Sequence, residues 1–338
     1  MTYDEFMADW RSDNPRLKVQ TSGSTGKPQV MWVEKRRMLA SATMTCDFLH
    51  LKRGDGMLLC LPLDYIAGKM VVVRTIERGL RLTTINPSGH PYQTLAESGN
   101  LSHFACASLV PLQVYNSLQT PKEREWLASI DNILVGGGSI SRDVEAQLRN
   151  FPNAIWSTYG MTETLSHIAM RRVSGPEASL WYTPLPHVSV SLTDEGCLVI
   201  DAPLVHEGRL VTNDLAELRP APTADAKGVQ FRILGRRDNV ICSGGIKIQT
   251  EEVERLLEPH LHSPFVITHR PDEKFGEAVV LLTEYADLDA VRAVCQEVLP
   301  AYSVPKDVFH VAHVPMTETG KPARKQAEIL AASLTRHK

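Results

Sequence analysis

Between residues 30 and 165, short apolar runs alternate with longer amphipathic stretches, and that rhythm leaves few folds open. Val30–Val33, Met57–Leu61, Arg81–Thr84, Phe104–Ala107, Asn132–Val135 and Ala154–Thr158 read as strands. Glu34–His50, Gly68–Glu77 and Ser141–Asn150 between them carry helical patterning. Strands separated by helix-length spacers predict a stacked α/β sheet. Residues 1–20 add a short helix and an entry strand. From 185 to 235 the pattern changes to short alternating strands, Val188–Leu192, Leu198–Ile200, Leu210–Val211 and Val229–Ile233, with turns such as Asp194-Glu195-Gly196. This predicts a small antiparallel, barrel-like subdomain.

Gly235-Arg236-Arg237-Asp238-Asn239 is a charged break. Beyond it, Glu251–Glu258 and Leu288–Val298 read as helices, and Val266–Thr268 and Ala278–Thr283 as strands. The expected organisation is a large α/β domain over 1–235, hinged to a small mobile α+β domain over 236–338. A chain of 338 residues buries enough surface for both. A net charge of −3 argues against a general nucleic-acid binder. The apolar runs are far too short to span a bilayer. Cys46, Cys60, Cys106, Cys197, Cys242 and Cys295 stand far apart with no C-x-x-C pair, which points to reduced thiols in a cytoplasmic protein.

Six motifs carry chemistry. Thr21-Ser22-Gly23-Ser24-Thr25-Gly26-Lys27 packs hydroxyls, glycines and a cation into one loop, a composition that wraps a phosphate. Its spacing is not that of the Walker A loop, and such clusters also form plain turns. Ser157-Thr158-Tyr159-Gly160-Met161-Thr162-Glu163 ends a strand run on an aromatic, a hydroxyl and a carboxylate, where open α/β sheets bind ligands. The ring can stack on a base, the threonine bond a phosphate and the glutamate hold Mg²⁺. The alternative is a helix start with ordinary caps. Gly136-Gly137-Gly138 after Ile133–Val135 lets a flat ligand lie against backbone, or is simply a flexible connection. Thr212-Asn213-Asp214 places an aspartate able to accept ribose hydroxyls, or a turn. Arg236 in the charged break could bond ribose or phosphate. Lys321, in Thr319-Gly320-Lys321-Pro322, is either functional or a solvated lysine on a turn.

In this order and spacing, the motifs resemble the adenylate-forming superfamily of acyl-CoA synthetases, luciferases and nonribosomal adenylation domains. The resemblance covers nearly the whole chain. Leu61-Pro62-Leu63 and Ser108–Gln113 are most similar to the o-succinylbenzoate–CoA ligases of menaquinone biosynthesis. The resemblance implies an ATP-dependent acid–CoA ligase using ATP, Mg²⁺ and CoA on a small carboxylic acid. It implies that Thr21–Lys27 hold the β- and γ-phosphates, and that Tyr159 stacks on adenine beside Gly136, Gly137 and Gly138. Thr162 would touch the α-phosphate, Glu163 bind Mg²⁺, and Asp214 with Arg236 hold the ribose. Asp238 would be the hinge, and Lys321 would neutralise charge at the α-phosphate.

Tyr65, Lys69 and Ser108 fall in segments that line the acyl pocket of relatives. Lys69 is expected to meet a second substrate carboxylate, against the alternative of a surface lysine at a helix start. Gln29 stands where relatives carry lysine, and Asp64-Tyr65 where they carry an aromatic–His pair. The phosphate loop begins at Thr21, whereas relatives place a long region before it. A homo-oligomer partner is expected to cover the face so left. The rival readings are a ligase that loads a carrier protein, and a non-catalytic ATP-binding relative.

Overall fold

The computed structural model describes residues 1–20, 30–99, 101–221, 228–317 and 322–334. The chain divides into a larger unit (1–191, 199–211 and 218–232) and a smaller one (192–198, 212–217 and 233–338).

The larger unit opens with helix α1 (Tyr3–Arg11), started by a capping box. Thr2 Oγ1 accepts from Glu5 N at 3.2 Å, and the Glu5 carboxylate accepts from Thr2 N at 2.7 Å. Strands β1 (Arg16–Gln20) and β2 (Val30–Glu34) pair antiparallel from Arg16↔Glu34 to Gln20↔Val30. Then come α2 (Lys35–Phe48), β3 (Gly56–Leu59), α3 (Ile66–Arg78), β4 (Arg81–Thr84), α4 (Pro91–Ser98) and β5 (Cys106–Leu109). They are followed by α5 (Pro111–Leu118), α6 (Pro121–Ser129), β6 (Asn132–Val135), α7 (Arg142–Leu148) and β7 (Ala154–Gly160). After a 3₁₀ turn at Thr162–Thr164, β8 (His167–Arg172) and β9 (Thr183–Pro184) return antiparallel.

The sheet order is β4-β3-β5-β6-β7-β8-β9, the first five strands parallel. Each of these connections carries helix, as parallel pairing requires. Strands β3 and β5 are buried throughout, which is why they read as largely apolar runs and not as alternating ones. Helices α4–α7 seal the sheet through Leu95, Val114, Leu127, Val144 and Leu148, joined by Ile130 just after α6. The expected α/β alternation is therefore observed.

The segment expected to be barrel-like forms a four-stranded sheet in chain order: β10 (Ser189–Leu192), β11 (Cys197–Asp201), β12 (Arg209–Pro220) and β13 (Val229–Arg236). Strand β12 is far longer than the expected Leu210–Val211. Asn213-Asp214, readable as a turn, lies inside it, with β12 paired to β11 and β13; Thr212 Oγ1 donates to Leu198 O at 2.9 Å and accepts from Asp214 N at 3.0 Å.

In the smaller unit a 3₁₀ turn (Arg237–Asn239) leads to β14 (Val240–Ser243), β15 (Ile246–Gln249), α8 (Thr250–Leu257), β16 (Phe265–Asp272) and β17 (Gly276–Thr283). Helix α9 (Leu288–Val298), β18 (Asp307–His310) and α10 (Arg324–Ser333) complete it. The sheet order is β15-β14-β17-β16, with β18 parallel to β17. Its two faces follow the period-two rule. Ile267, Val279 and Leu281 pack with Val253 of α8 and Val291 of α9, while Val266, Val280 and Leu282 pack with Ala327 and Ala331 of α10.

Candidate active site

Several of the predicted site residues collect at the carboxyl ends of the parallel strands of the larger unit. Strand β3 leads into Leu61–Tyr65 and α3, β5 carries Ser108, β6 runs into Gly136–Gly138 and β7 ends at Tyr159-Gly160. Chain order reverses between β3 and β5, with β4 on one side and β6 and β7 on the other. That is the topological switch point at which open sheets bind ligands. Ser108 sits there with a buried Oγ that has no hydrogen-bond partner among the described residues.

Three glycines set the backbone at this edge. Gly136 N donates to Leu109 O at 3.1 Å, and a Cβ on Gly136 would lie 2.6 Å from Thr158 Oγ1. Gly137 has φ +80°, which favours glycine. At Gly160 the β7–β8 register shifts, and a Cβ would meet Ser166 O at 2.3 Å and His167 Cα at 2.5 Å. Backbone cannot yield as a flexible side chain does, so Gly160→Ala is expected to lower thermal stability by about 1–3 kcal/mol. A melting temperature equal to the parent's would refute this packing.

Thr162 and Glu163 do not cap a helix. Thr164 performs that local work: its Oγ1 accepts from Met161 N at 3.0 Å and lies 2.8 Å from Ser166 O. Glu163 is exposed, and among the described residues no side chain bonds its carboxylate; His206 Nδ1 lies 3.3 Å from its backbone oxygen. One exposed carboxylate beside phosphate oxygens is the donor set that Mg²⁺ takes in nucleotide sites. The described residues contain no cluster of three or more metal-ligating side chains. Tyr159 packs its ring against Phe231 and Tyr182, at centroid distances of 5.2 and 5.8 Å.

Tyr65 caps the start of α3, and its backbone bridges to Gln20, the residue before the phosphate loop. Lys69 is buried, 3% exposed, so it is not a surface lysine. Its Nζ lies 3.4 Å from Met1 Sδ. Burial lowers its pKa, opposed by the charges of Asp64 and Asp9. In the smaller unit Arg236 forks onto Asp238 at 2.9 and 2.8 Å and reaches Asp214 Oδ1 at 3.4 Å. The two ribose candidates, far apart in sequence, are thus in contact, and the hinge candidate shares their guanidinium. Thr21–Lys27 and Lys321 lie outside the described residues.

Arg74 escaped the sequence analysis. It is the one charge in Met70-Val71-Val72-Val73-Arg74, a signal that was there to be read. It is 2% exposed, and its Nη2 donates to Ser166 Oγ at 2.6 Å, two residues past the Thr162–Thr164 turn. Its Nε has no partner, and among the described residues no carboxylate pairs with it. Nearby Cys46 and Cys106 are pushed up to about 12 by burial, so they supply no anion at neutral pH. His167 is held neutral, its pKa driven well down by burial and by Arg74; its Nε2 lies 2.9 Å from Thr45 Oγ1. A buried guanidinium without an anion is costly unless something negative arrives. An open concavity of about 440 Å³ around Arg149–Phe151 and Gly175-Pro176 lies at the other end of the sheet, where β7 begins and β8 ends. It is remote from this chemistry.

A parallel sheet with glycine, aromatic, threonine and glutamate groups at its carboxyl edge defines a nucleotide-handling enzyme. The profile of the AMP-binding enzyme family matches residues 7–212, and the chain belongs to that family. It is 25% identical to the 2-succinylbenzoate–CoA ligase of Listeria monocytogenes over 95% of this chain and 71% of that protein. It is 28% identical to the enzyme of that name from Salmonella typhimurium, over 83% of this chain and 60% of that one. Among solved structures it resembles an AMP-forming acyl-CoA synthetase/AMP-acid ligase II-like protein of Dyadobacter fermentans, with 30% identity and TM-score 0.63, over 96% of this chain and 91% of that one. The fold also matches Bacillus subtilis o-succinylbenzoate CoA synthetase in complex with its acyl-adenylate intermediate, at 22% identity and TM-score 0.76, over 94% of this chain and 69% of that one. The chain is thus an AMP-forming enzyme of the acyl-CoA synthetase kind, spanning 60–71% of the length of the two curated relatives.

Proposed function

We propose that this chain is an ATP-dependent acid–CoA ligase whose acid is o-succinylbenzoate, as in menaquinone biosynthesis. The observation that carries the substrate is Arg74. A dicarboxylic acid brings one carboxylate to ATP and a second that needs a cation, and a buried guanidinium lacking an anion is suited to it. Lys69, on the same helix, is the alternative cation. Tyr65 and Ser108 line the acid's entry at the switch point.

In the first half-reaction a carboxylate oxygen attacks the α-phosphorus of ATP, and pyrophosphate leaves. Thr21–Lys27 bind the β- and γ-phosphates. Tyr159 stacks on adenine beside Gly136–Gly138, and Asp214 and Arg236 take the ribose. Thr162 bonds the α-phosphate, Glu163 holds Mg²⁺, and Lys321 offsets the negative charge that develops there. Mg²⁺ held there would supply positive charge against the phosphate oxygens. In the second half-reaction the CoA sulfur attacks the acyl carbon and AMP leaves.

Lys274 and Lys306 lie with their ammonium groups 5.2 and 5.0 Å from the Phe275 ring centroid. An aromatic face with two cations suits the phosphorylated nucleotide of CoA better than a carrier protein's bare pantetheine arm. The described cysteines are all free, and no described helix is long and apolar enough to cross a membrane. A cytoplasmic enzyme fits these features. A second copy of the chain is the proposed cover for the exposed Val30 and Trp32 of β2.

Acid-dependent ATP–pyrophosphate exchange, run with o-succinylbenzoate, benzoate and other aromatic acids, tests the proposal. Exchange strongest with o-succinylbenzoate, and thioester only with CoA, is the expected result. Equal rates with benzoate would remove the substrate assignment, and no exchange with any acid would favour a non-catalytic relative. For the domains 1–235 and 236–338 to serve both half-reactions, the torsion at Asp238 must change. Asp238→Ala is expected to keep both half-reactions. Asp238→Pro, with φ held near −65°, is expected to lose one and keep the other. Normal rates in both for the proline variant would place the hinge elsewhere.

A further inference from the structure

We propose that Tyr182 is a positioning residue that sets the plane of the Tyr159 ring, and through it the affinity for the nucleotide base. The proposal rests on reading Tyr159 as the base-stacking residue. Ser157 and Tyr159 are two residues apart and share one face of β7. Opposite them on β8 stand Arg171 and Ala169. Tyr182 arrives from the segment before β9, and its hydroxyl lies 2.9 Å from Ser157 Oγ.

Tyr182 is locked to Phe231 of β13 twice over. Their backbones exchange hydrogen bonds of 2.7 and 3.1 Å, and their rings stack at 5.4 Å with an interplanar angle of 21°. The Tyr159 ring meets this pair at 77° to Phe231 and 57° to Tyr182. Edge-to-face and offset stacking are the arrangements that ring quadrupoles favour. Behind Tyr182 the Arg171 guanidinium lies 5.5 Å from its ring centroid and is paired with Glu145 of α7. Phe231 is fully buried, so the platform cannot tilt without disturbing the core.

A base stacking on Tyr159 therefore meets a ring whose angle is already fixed, and it need not spend binding energy on ordering that ring. Tyr182 is the member to test, because it is only partly buried and Phe231 is core.

The measurement is the KM for ATP and for acid in the exchange assay, with parent, Tyr159→Ala, Tyr182→Leu, Tyr182→Phe and the double variant Tyr159→Ala/Tyr182→Leu. Tyr182→Leu is expected to raise the KM for ATP about 3- to 10-fold and leave that for acid within about twofold. Tyr182→Phe keeps the ring contacts and is expected to stay near the parent. The double variant is expected to be no worse for ATP than Tyr159→Ala alone. Should Tyr182→Leu fail to accumulate in folded form, Tyr182→His is read in its place, with a rise of at least about twofold expected. Additive losses, or equal shifts in both KM values, would overturn the positioning role. If Tyr159→Ala raises the KM for ATP and Tyr182→Leu does not, this proposal alone falls. If Tyr159→Ala leaves the KM for ATP unchanged, the base-stacking reading falls with it.

Discussion

Lys321→Ala is expected to slow formation of the acyl-adenylate about a thousandfold. The pentavalent α-phosphorus carries more negative charge than the ground state, so a cation placed there acts chiefly on the barrier. About 4 kcal/mol for such a contact in a water-excluded site corresponds to that factor. Conversion of preformed acyl-adenylate and CoA to thioester should change little, because no phosphoryl bond is made in that step. Single-turnover measurement of the two half-reactions separates them. Equal losses in both would mean that Lys321 supports folding or binding in general, and the assignment to adenylation would be withdrawn.

Arg74→Met is expected to raise the KM for o-succinylbenzoate about 10- to 100-fold, the worth of one charge-assisted hydrogen bond. The KM for ATP should stay near the parent value, and benzoate, with no second carboxylate, should be used no worse than before. Methionine nearly fills the same volume without a charge. Because Arg74 is buried with no carboxylate partner among the described residues, its removal should not lower the melting temperature of the free protein. That combination, lost acid affinity with stability retained, is hard to obtain from a merely structural arginine. Lys69→Met is the companion measurement. Its ammonium already has Asp64 and Asp9 in its field, so its effect on the acid is expected to be smaller. A larger effect at Lys69 than at Arg74 would return the carboxylate to the lysine.

The alternation of apolar runs and helical spacers was enough to call the α/β sheet, because strands buried on both faces are mostly apolar instead of alternating. The glycines at 136–138 and 160 and the Tyr159–Glu163 run were legible for a related reason. At Gly160 backbone passes within 2.3 Å of a would-be Cβ, at Gly136 the Thr158 hydroxyl within 2.6 Å, and Gly137 has φ +80°, so glycine is required and leaves its mark in the sequence. In the small domain α8, α9, β16 and β17 were legible from the same periodicities, whereas β14, β15, β18 and α10 were not read from the sequence. Less was legible where a side chain decides the outcome locally. Asn213-Asp214 reads equally well as a turn, and it is the pairing of β12 with β11 and β13, residues distant in sequence, that makes it strand.

What sequence by itself determined, then, is the set of chemical groups and the layered sheet that carries them, since both depend on residues close together along the chain. Tertiary structure alone decided which distant residues share a charge or a ring. It put Arg236 against both Asp214 and Asp238. It buried Arg74 against Ser166. It set Tyr182 and Phe231 beneath Tyr159. Those contacts span 22, 92 and up to 72 residues of chain, and the last figure is 231 minus 159. No local pattern encodes them, because the free energy of a buried charge or a ring pair depends on what the fold places across from it.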